Sequence, residues 1–261
     1  MLRNLLKKLI NYILGLFNLK IIKKNVTGII DKRNLIPFQN DNKNYILYFE
    51  GLEKSQNQNT DNFFKQCRHL DLINLASIAL KNDKVANFAE AGCWKGHSSY
   101  FLSKLINDVN LKRNKEIKFY IFDSFEGLSE INEKDKNVKK LNQNLIKKIK
   151  KQFVSNEKFV KDEVLKDFEF VEIFKGWIPE KFEKVDNKEF SFVHIDVDLY
   201  KPTLQSLEFF FPRLIDGGII VCDDYNSFGF DGAKKAWDEF FNKNKVKINF
   251  SPTVSGSFII K

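Results

Sequence analysis

The chain has 261 residues, enough for one full hydrophobic core, and 43% of them are hydrophobic, as is typical of a globular protein. Its three cysteines form no C-x-x-C pair, which argues against a disulfide framework, so we expect a protein of the reducing cytoplasm. The net charge is +9, but positions 1–24 hold six basic and no acidic residues, which leaves +3 for the rest. A nearly neutral body does not offer the basic face that nucleic acid requires, so we expect no nucleic-acid partner.

The basic arm at residues 1–24 has the pattern of an amphipathic helix. Its apolar stripe recurs at helical spacing and consists of Leu2, Leu5, Leu6, Leu9, Ile13 and Leu14. The apolar runs are far shorter than the ~20 residues that span a bilayer, and no cleavage site of a signal peptide follows. The favoured interpretation is a helix that packs on the body or on a partner subunit of a homo-oligomer. The alternative is a helix on an anionic membrane surface, which would place the protein peripherally at the inner membrane face.

From about residue 84 onward the pattern alternates strand and helix, which is typical of a parallel α/β sheet. Five strands are predicted at residues 85–90, 117–123, 168–174, 190–196 and 218–223. Helices are predicted from about Ser98 and over residues 203–214 and 233–241. Two last strands at 246–250 and 255–260 predict an antiparallel hairpin. We therefore expect a seven-stranded, mostly parallel sheet with helices on both faces.

Two of the predicted strands end in paired carboxylates. Asp196 and Asp198 follow the fourth strand, and Asp223 and Asp224 follow the fifth. Because ligands bind beyond the carboxyl ends of parallel strands, we expect these four side chains to converge. They would repel one another unless a cation lay between them, and oxygen ligands favour Mg²⁺, Mn²⁺ or Ca²⁺. The alternative is that they cap the following helices, which two matched pairs make the weaker interpretation.

A glycine-containing turn follows the first predicted strand. The sequence E-A-G-C-W-K-G at residues 90–96 places Gly92 and Gly96 where a strand passes into a helix, so the backbone can approach a ligand closely. Its spacing is not G-x-G-x-x-G, which disfavours a nicotinamide oxidoreductase. Asp123, at the end of the next strand, is placed to accept hydrogen bonds from a ribose diol.

Five motifs in this order resemble the macrocin O-methyltransferase family (TylF type). They are E-A-G-C-W-K-G at 90–96, D-S-F-E-G at 123–127, G-W at 176–177, D-V-D-L-Y at 196–200 and D-D-Y at 223–225. The resemblance covers roughly residues 61–261 and implies a Rossmann-like class I methyltransferase fold. It also implies an S-adenosylmethionine-dependent enzyme, of class EC 2.1.1, that methylates sugar hydroxyls with Mg²⁺. Residues 1–60 would then be a basic helix and an Asn-rich lead-in to the methyltransferase domain.

The resemblance implies a role for each matching position. The cofactor would be bound by Glu90, Gly92, Cys93, Gly96, Ser98, Asp123, Ser124, Phe125, Gly176 and Trp177. Within this set, Glu90 and Gly92 would line the methionine end, Asp123 would hold the ribose, and Trp177 would border the adenine. The metal ligands would be Asp196, Asp223 and Asp224. The family often has Gly at the position of Val197 and Arg at that of His194, and these two departures leave the metal ligands untouched.

A sugar hydroxyl is a poor nucleophile, so methyl transfer needs a base within hydrogen-bond reach. Asp198 is the first candidate, because two residues separate it from Asp196 and both would face one side of a continuing strand. His194 has the same parity but lies deeper, and a lone strand histidine is more often structural. Asp198, Asp196 and His194 are therefore the candidate catalytic residues, with Asp198 ranked above His194 as the base. Tyr200 and Tyr225 either border the substrate or pack as ordinary aromatic side chains.

We expect the acceptor to be a sugar, such as a nucleotide-activated hexose or heptose for a surface polysaccharide or a glycosylated metabolite. The alternatives are a catechol-like phenol and a non-catalytic binding module, against which the intact set of acids argues. Residues 25–60 and a Lys-rich insertion at 134–151 match no motif, so substrate choice is expected to reside there. Residues of helical spacing in the insertion, Val138, Leu141, Leu145 and Ile149, predict a solvated helix. The alternative is a lid whose lysines meet a phosphate-bearing substrate.

Deleting residues 1–24 is expected to leave the affinity for S-adenosylhomocysteine unchanged, because every predicted cofactor motif lies downstream. Calorimetric titration of the truncated chain measures this directly, and size exclusion and liposome flotation report on the two interpretations of the arm. A truncated chain that loses cofactor affinity would show that the arm completes the site.

Overall fold

The computed structural model describes residues 19–21, 29–31, 42–114, 116–135, 143–227, 229–246 and 256–261. They fall into two compact units, Met1–Tyr45 and Ile46–Lys261. In the first unit, strands β1 (Leu19–Ile21) and β2 (Ile29–Asp31) form an antiparallel pair. The helix predicted over residues 2–14 and the residues Val138 and Leu141 of the insertion lie outside the described residues.

From residue 87 onward, strands and helices largely alternate as the sequence predicts, except that only a 3-10 turn at Phe182–Val185 lies between the strands Val171–Lys175 and Phe190–Ile195. The helices are α1 (Asn42–Lys54), α2 (Phe63–Ala79), α3 (His97–Arg113), α4 (Gln143–Gln152), α5 (Glu157–Phe159), α6 (Tyr200–Phe210) and α7 (Gly232–Lys243). The strands are β3 (Asn87–Ala91), β4 (Phe119–Asp123), β5 (Val171–Lys175), β6 (Phe190–Ile195), β7 (Leu214–Cys222) and β8 (Ser257–Ile260). Within the described ranges, no helix combines the length and the apolar character that crossing a membrane requires.

The main sheet has the strand order β5-β4-β3-β6-β7-β8, in which only β8 is antiparallel to its neighbour. The chain runs outward from β3 to β5 and then returns to the other side of β3 with β6. A switch point therefore lies between β3 and β6, where doubly wound sheets bind their ligands. The described residues form six of the seven predicted strands. The missing one, at 246–250, lies outside the described residues except for Val246, which is not in a strand.

Four predicted boundaries miss by three or four residues, namely the start of β5 at Val171, both ends of α6 and the start of β7. For the end of α6 and the start of β7, the chain itself supplies the reason. The helix predicted to reach residue 214 ends at Phe210 and gives way to a 3-10 turn that contains Pro212, which cannot continue an α-helix. Strand β7 begins at Leu214, four residues earlier than predicted, because the pairing with β6 shifts register past Gly217 and Gly218. Gly217 has a φ of +76°, which a glycine adopts without strain.

Both faces of the sheet are covered. On one face, Phe88 and Phe192 stack with their ring centroids 5.1 Å apart, beneath apolar residues of α2 and α3. On the other face, Ala89 and Val193 meet a core from α6 and α7 that contains Trp237. All six residues of β6 are buried, as expected of a central parallel strand. The two faces of the central strands are therefore closed to a ligand.

Candidate active site

The strand register brings the predicted acids together. Ala91 of β3, Ile195 of β6 and Cys222 of β7 lie side by side in the parallel ladder. The ladder continues one residue further, since the Asp196 N–H donates to Ala91 O at 2.8 Å and the Asp223 N–H donates to Ile195 O at 2.9 Å. Asp196 and Asp223 therefore leave adjacent strands at the same level, beside Gly92. As predicted, the acidic residues converge at the carboxyl edge of the sheet.

A cavity of about 1190 Å³ opens above this edge. Pockets for a single small molecule are usually ~300–1000 Å³, so this one has room for a cofactor and an acceptor together. Predicted cofactor-binding residues that line it are Gly92, Cys93, Ser98, Asp123, Ser124, Gly176 and Trp177. Predicted catalytic and metal-binding residues that line it are Asp196, Asp198 and Asp224. Both halves of the predicted site thus share one cavity.

The remaining predicted residues lie behind the cavity wall. Glu90 is fully buried, accepts a hydrogen bond from Ser99 Oγ and contacts His194. Gly96 caps α3 with a φ of +82°, and Phe125 is buried with a φ of +60°. These positions shape the turns that carry the lining residues. Whether they also contact the cofactor stays a prediction.

Gly92 and Asp123 hold the turn after β3 in place. A Cβ on Gly92 would lie 1.9 Å from Asp196 O, and its φ is +87°, so only glycine fits. Asp123 accepts hydrogen bonds from the N–H groups of Cys93 and Trp94 at 2.7 and 2.9 Å, and from that of Phe125 at 2.7 Å. A carboxylate has about four acceptor positions, so about one remains for a ribose hydroxyl.

The acids meet two cationic groups, His194, which is fully buried, and Arg68, whose side chain is 29% exposed. Arg68 Nη1 lies 2.9 Å from Asp223 Oδ2. His194 Nδ1 lies 2.9 Å from Glu90 Oε1, and its Nε2 lies 3.5 Å from Asp223 Oδ1, which is a charge contact rather than a good hydrogen bond. Burial would lower the pKa of His194, but Asp223 and Glu90 outweigh it and raise that pKa to about 10. Burial would raise the pKa of Asp223, but Arg68 and His194 hold it below its usual range.

The other three carboxyls are not compensated in this way. Burial and the charge of Asp223 raise the pKa of Asp196, and burial and the charge of Asp196 raise that of Asp198. Burial and Asp198 raise the pKa of Asp224 well above its usual range. Carboxyls that crowd without enough cations are what a metal site without its ion is expected to show. The donor set therefore fits a divalent cation.

The structure brings three potential ligand atoms within 4.8 Å of one another, from His194, Asp196 and Asp223. The predicted set has Asp224 in place of His194. Asp224 Oδ2 accepts a hydrogen bond from the Asp198 N–H at 2.9 Å, so this carboxylate also positions the residue predicted to be the base. Asp196 and Asp223 are common to both sets, and the choice between His194 and Asp224 stays open to experiment.

The argument that Asp196 and Asp198 face one side of a continuing strand does not hold. Strand β6 ends at Ile195, and Asp198 has a left-handed φ of +58°, a conformation that Asp tolerates better than most residues. Both side chains nevertheless line the cavity. The turn, rather than the strand, therefore brings Asp198 to the site.

Tyr200 and Tyr225 do not line the cavity. The Tyr200 hydroxyl donates to Glu239 Oε2 at 2.7 Å and accepts from Lys134 Nζ. The Tyr225 hydroxyl donates to Asp238 Oδ1 at 2.7 Å. The second interpretation, ordinary packing with a satisfied hydroxyl, is the one that the structure supports.

The described part of the insertion forms α4 and contributes to the cavity wall. Ile149 and Phe153 pack against a small cluster of Leu128, Leu199 and Phe230. Lys150, Gln152 and Phe153 line the cavity, while Lys147, Lys148 and Lys151 are exposed. One side of this segment thus faces solvent, and the other side forms part of the cavity wall.

Sequence reasoning missed a group of polar residues that precede and begin α2. Asn57, Lys65 and Arg68 all line the cavity. Their only signal in the sequence is the spacing of Lys65 and Arg68, three positions apart on an otherwise apolar helix face. The contact of Arg68 with Asp223 joins segments far apart in the chain, so periodicity could not reveal it.

The sequence profile of the macrocin-O-methyltransferase family (TylF) matches residues 65–253. The chain belongs to this family. The match spans β3 to β7 and therefore all the motifs on which the resemblance rested. A curated relative, the 8-demethyl-8-(2,3-dimethoxy-alpha-L-rhamnosyl)-tetracenomycin-C 4'-O-methyltransferase of Streptomyces olivaceus, is 26% identical over 143 residues. The alignment covers 53% of this chain and 52% of the relative, so this chain matches about half the length of that relative.

Solved structures show the same fold at low sequence identity. The O-methyltransferase NovP superposes with a TM-score of 0.62 at 18% identity, over 75% of this chain and 80% of NovP. CalS11, a TDP-rhamnose 3'-O-methyltransferase of calicheamicin biosynthesis, superposes with a TM-score of 0.51 at 14% identity, over 83% of this chain and 93% of CalS11. The predicted class I methyltransferase-like α/β fold is confirmed, as a six-stranded mixed sheet in the described residues.

Proposed function

We propose that this protein transfers a methyl group from S-adenosylmethionine to a hydroxyl of a sugar, carried by a glycosylated metabolite or a nucleotide. The observation that carries the proposal is the single cavity in which the turn after β3 and the carboxylates after β6 and β7 meet. Family membership supports the methyl donor. The names of the Streptomyces olivaceus relative and of CalS11 support a sugar acceptor.

The residues of the first half of the cavity fit S-adenosylmethionine. The turn at Gly92 has no side chain that would hinder a close approach to the backbone, and Asp123 keeps acceptor capacity for a ribose hydroxyl. Gly176 and Trp177 offer an open backbone and an aromatic surface beside them. When bound, S-adenosylmethionine supplies an electrophilic methyl group on a sulfonium. The protein's part is to hold the acceptor hydroxyl in line with that group and to exclude water.

The second half of the cavity fits a divalent cation and a polar acceptor. We propose that Asp196, Asp223 and Asp224 hold the cation, which as a Lewis acid would lower the pKa of a hydroxyl bound to it. Asp198 accepts the proton of the acceptor hydroxyl, since it lines the cavity beside the proposed metal ligands and its backbone N–H is held by Asp224 Oδ2. Thr60 and Asn62 give this end a polar lining, which favours a sugar over a catechol-like phenol.

A thermal-shift assay followed by a transfer assay tests this proposal. S-adenosylmethionine and S-adenosylhomocysteine are expected to raise the melting temperature, and NAD is not, because a ligand stabilises only a protein that binds it. Methyl transfer is then measured against a panel of nucleotide sugars, neutral glycosides and catechols. Stabilisation by NAD alone, or transfer confined to the catechols, would contradict the proposal.

Chelation of divalent cations is expected to abolish methyl transfer, and Mg²⁺ or Mn²⁺ to restore it. Binding of Mn²⁺ to the protein, followed by electron paramagnetic resonance, identifies the ligands without an activity assay. Asp224→Asn is expected to weaken Mn²⁺ binding at least ~10-fold, because a carboxylate ligand is lost. His194→Gln is expected to retain Mn²⁺ binding. If instead His194→Gln weakens Mn²⁺ binding and Asp224→Asn retains it, then His194 rather than Asp224 is the third metal ligand. Full methyl transfer after chelation would show that the reaction does not need a metal.

A further inference from the structure

One wall of the cavity carries cationic and amide groups that the proposed chemistry does not use. Lys65 and Arg68 lie on α2 three positions apart, so both project from the same helix face. Asn57 lies on the turn before α2. All three residues line the cavity. They therefore form a second polar group beside the carboxylates after β6 and β7.

The charge of Lys65 has no counterion among the described residues. Its Nζ donates to the neutral Thr60 Oγ1 at 2.7 Å. The carboxylate of Asp61, closest to it in sequence, is engaged by Tyr48 and Gln66. Burial and the charge of Arg68 lower the pKa of Lys65 to about 8, although Asp61, Asp196 and Asp223 act in the opposite direction. Burial of Lys65 and its repulsion by Arg68 thus outweigh the attraction of these three carboxylates. An anion bound beside Lys65 would offset both unfavourable effects.

Arg68 and Asn57 add unused donors. Arg68 binds Asp223 through Nη1, while its Nε is buried and, among the described residues, has no hydrogen-bond partner. Asn57 is 0% exposed, and neither its Oδ1 nor its Nδ2 has a partner in the described part of the chain. A buried polar atom left unpaired costs ~1–3 kcal/mol, so such atoms on a cavity wall indicate a ligand.

We propose that Lys65, Arg68 and Asn57 form a subsite for a phosphate group of the acceptor, which makes the substrate a phosphorylated or nucleotide-linked sugar. The inference rests on the function proposed above. It restricts the acceptor to a phosphorylated sugar and excludes neutral glycosides as the preferred substrate. A phosphate group carries more negative charge than a carboxylate and has three strong acceptor oxygens, so it can accept from all three residues at once. Arg68 already uses Nη1 for Asp223, which leaves it single donors rather than a bidentate fork. The subsite borders the carboxylates that would hold the metal, because Arg68 Nη1 contacts Asp223 Oδ2.

Calorimetry with inorganic pyrophosphate tests the subsite directly. The full-length protein is titrated in the presence of S-adenosylhomocysteine and a chelator, so that a metal ion cannot bind the probe. Lys65→Gln is expected to weaken pyrophosphate binding about 10- to 100-fold, the range for a lost hydrogen bond to a charged group. Asn57→Ala is expected to weaken it about tenfold or less. The control is Lys81→Gln, which removes an exposed lysine just past the end of α2 and outside the cavity, and is expected to change the affinity less than about twofold.

Steady-state kinetics distinguish the possible sources of the phosphate. TDP-rhamnose, rhamnose 1-phosphate and methyl rhamnoside are compared as acceptors in the wild type and in Lys65→Gln. A higher KM for a phosphorylated acceptor with a nearly unchanged kcat supports the subsite, and the acceptor that shows it identifies a nucleotide or a simple sugar phosphate. Methyl rhamnoside, which has no phosphate, is expected to be a poor acceptor of the wild type, and Lys81→Gln is expected to leave the KM of every acceptor unchanged.

The failure of this inference and the failure of the proposed function give different results. If the wild type binds S-adenosylhomocysteine and methylates the neutral glycoside, but does not bind pyrophosphate, the subsite is wrong and the function stands. Equal weakening by Lys65→Gln and Lys81→Gln would also overturn the subsite, as would unchanged affinity in both Lys65→Gln and Asn57→Ala. Absence of S-adenosylhomocysteine binding would overturn the proposed function itself.

Discussion

Asp224→Asn is expected to lower kcat/KM at least ~100-fold and to leave the protein folded, since loss of a group that merely supports a metal ligand already costs about 10–100-fold. Burial and the nearby carboxyls of Asp198 and Asp196 disfavour the charge of Asp224, so a neutral isostere relieves repulsion. An asparagine oxygen can also still accept the Asp198 N–H. Circular dichroism and thermal melting measure the fold, and transfer assays measure the rate.

Asp223→Asn provides the matched comparison, because it changes the same atoms one residue away. Asp223 is paired with Arg68 and faces His194, both of which would lose a buried counterion. Removing one partner of a buried pair costs about 3–5 kcal/mol. We therefore expect Asp223→Asn to lose both activity and stability, with a melting temperature lower by about 6–15 °C. Equal stability of the two variants would contradict the different environments described for these two carboxylates.

Gly92→Ala is expected to destabilise the protein by about 2–4 kcal/mol and to weaken S-adenosylhomocysteine binding at least tenfold. The added Cβ would lie 1.9 Å from Asp196 O, and the left-handed backbone adds about 1–2 kcal/mol for any residue other than glycine. To relieve this clash, either the turn after β3, which is proposed to bind the cofactor, or Asp196 must move. Calorimetric titration and thermal melting measure the two effects.

Gly229→Ala is the control for this substitution. A Cβ there would meet only Ser227 Oγ, at 3.9 Å, so the free energy of unfolding is expected to change by less than about 0.5 kcal/mol. If Gly92→Ala changed the free energy of unfolding as little as Gly229→Ala, this result would contradict the close packing of the turn against Asp196.

The elements around the site follow from local sequence. Strand β6 was predicted within one residue because it is a continuous apolar run, and α3 because a glycine turn precedes it. The ends of α6 and β7 were predicted less well. There Pro212 and a register shift near Gly217 override the apolar periodicity, and a register depends on the neighbouring strand rather than on the strand itself.

The α/β fold, the family and the convergence of the acids after β6 and β7 can be predicted from the sequence alone, because parallel strands that end in acids must present them at one edge. How those acids differ from one another depends on the folded structure. Asp223 is compensated by Arg68 and His194, whereas Asp224 is crowded by other carboxyls. Likewise, Lys65 and Asn57 became candidates only once α2 was placed against the cavity. A side chain's charge partners and desolvation depend on residues distant in sequence, which periodicity and motif spacing do not encode.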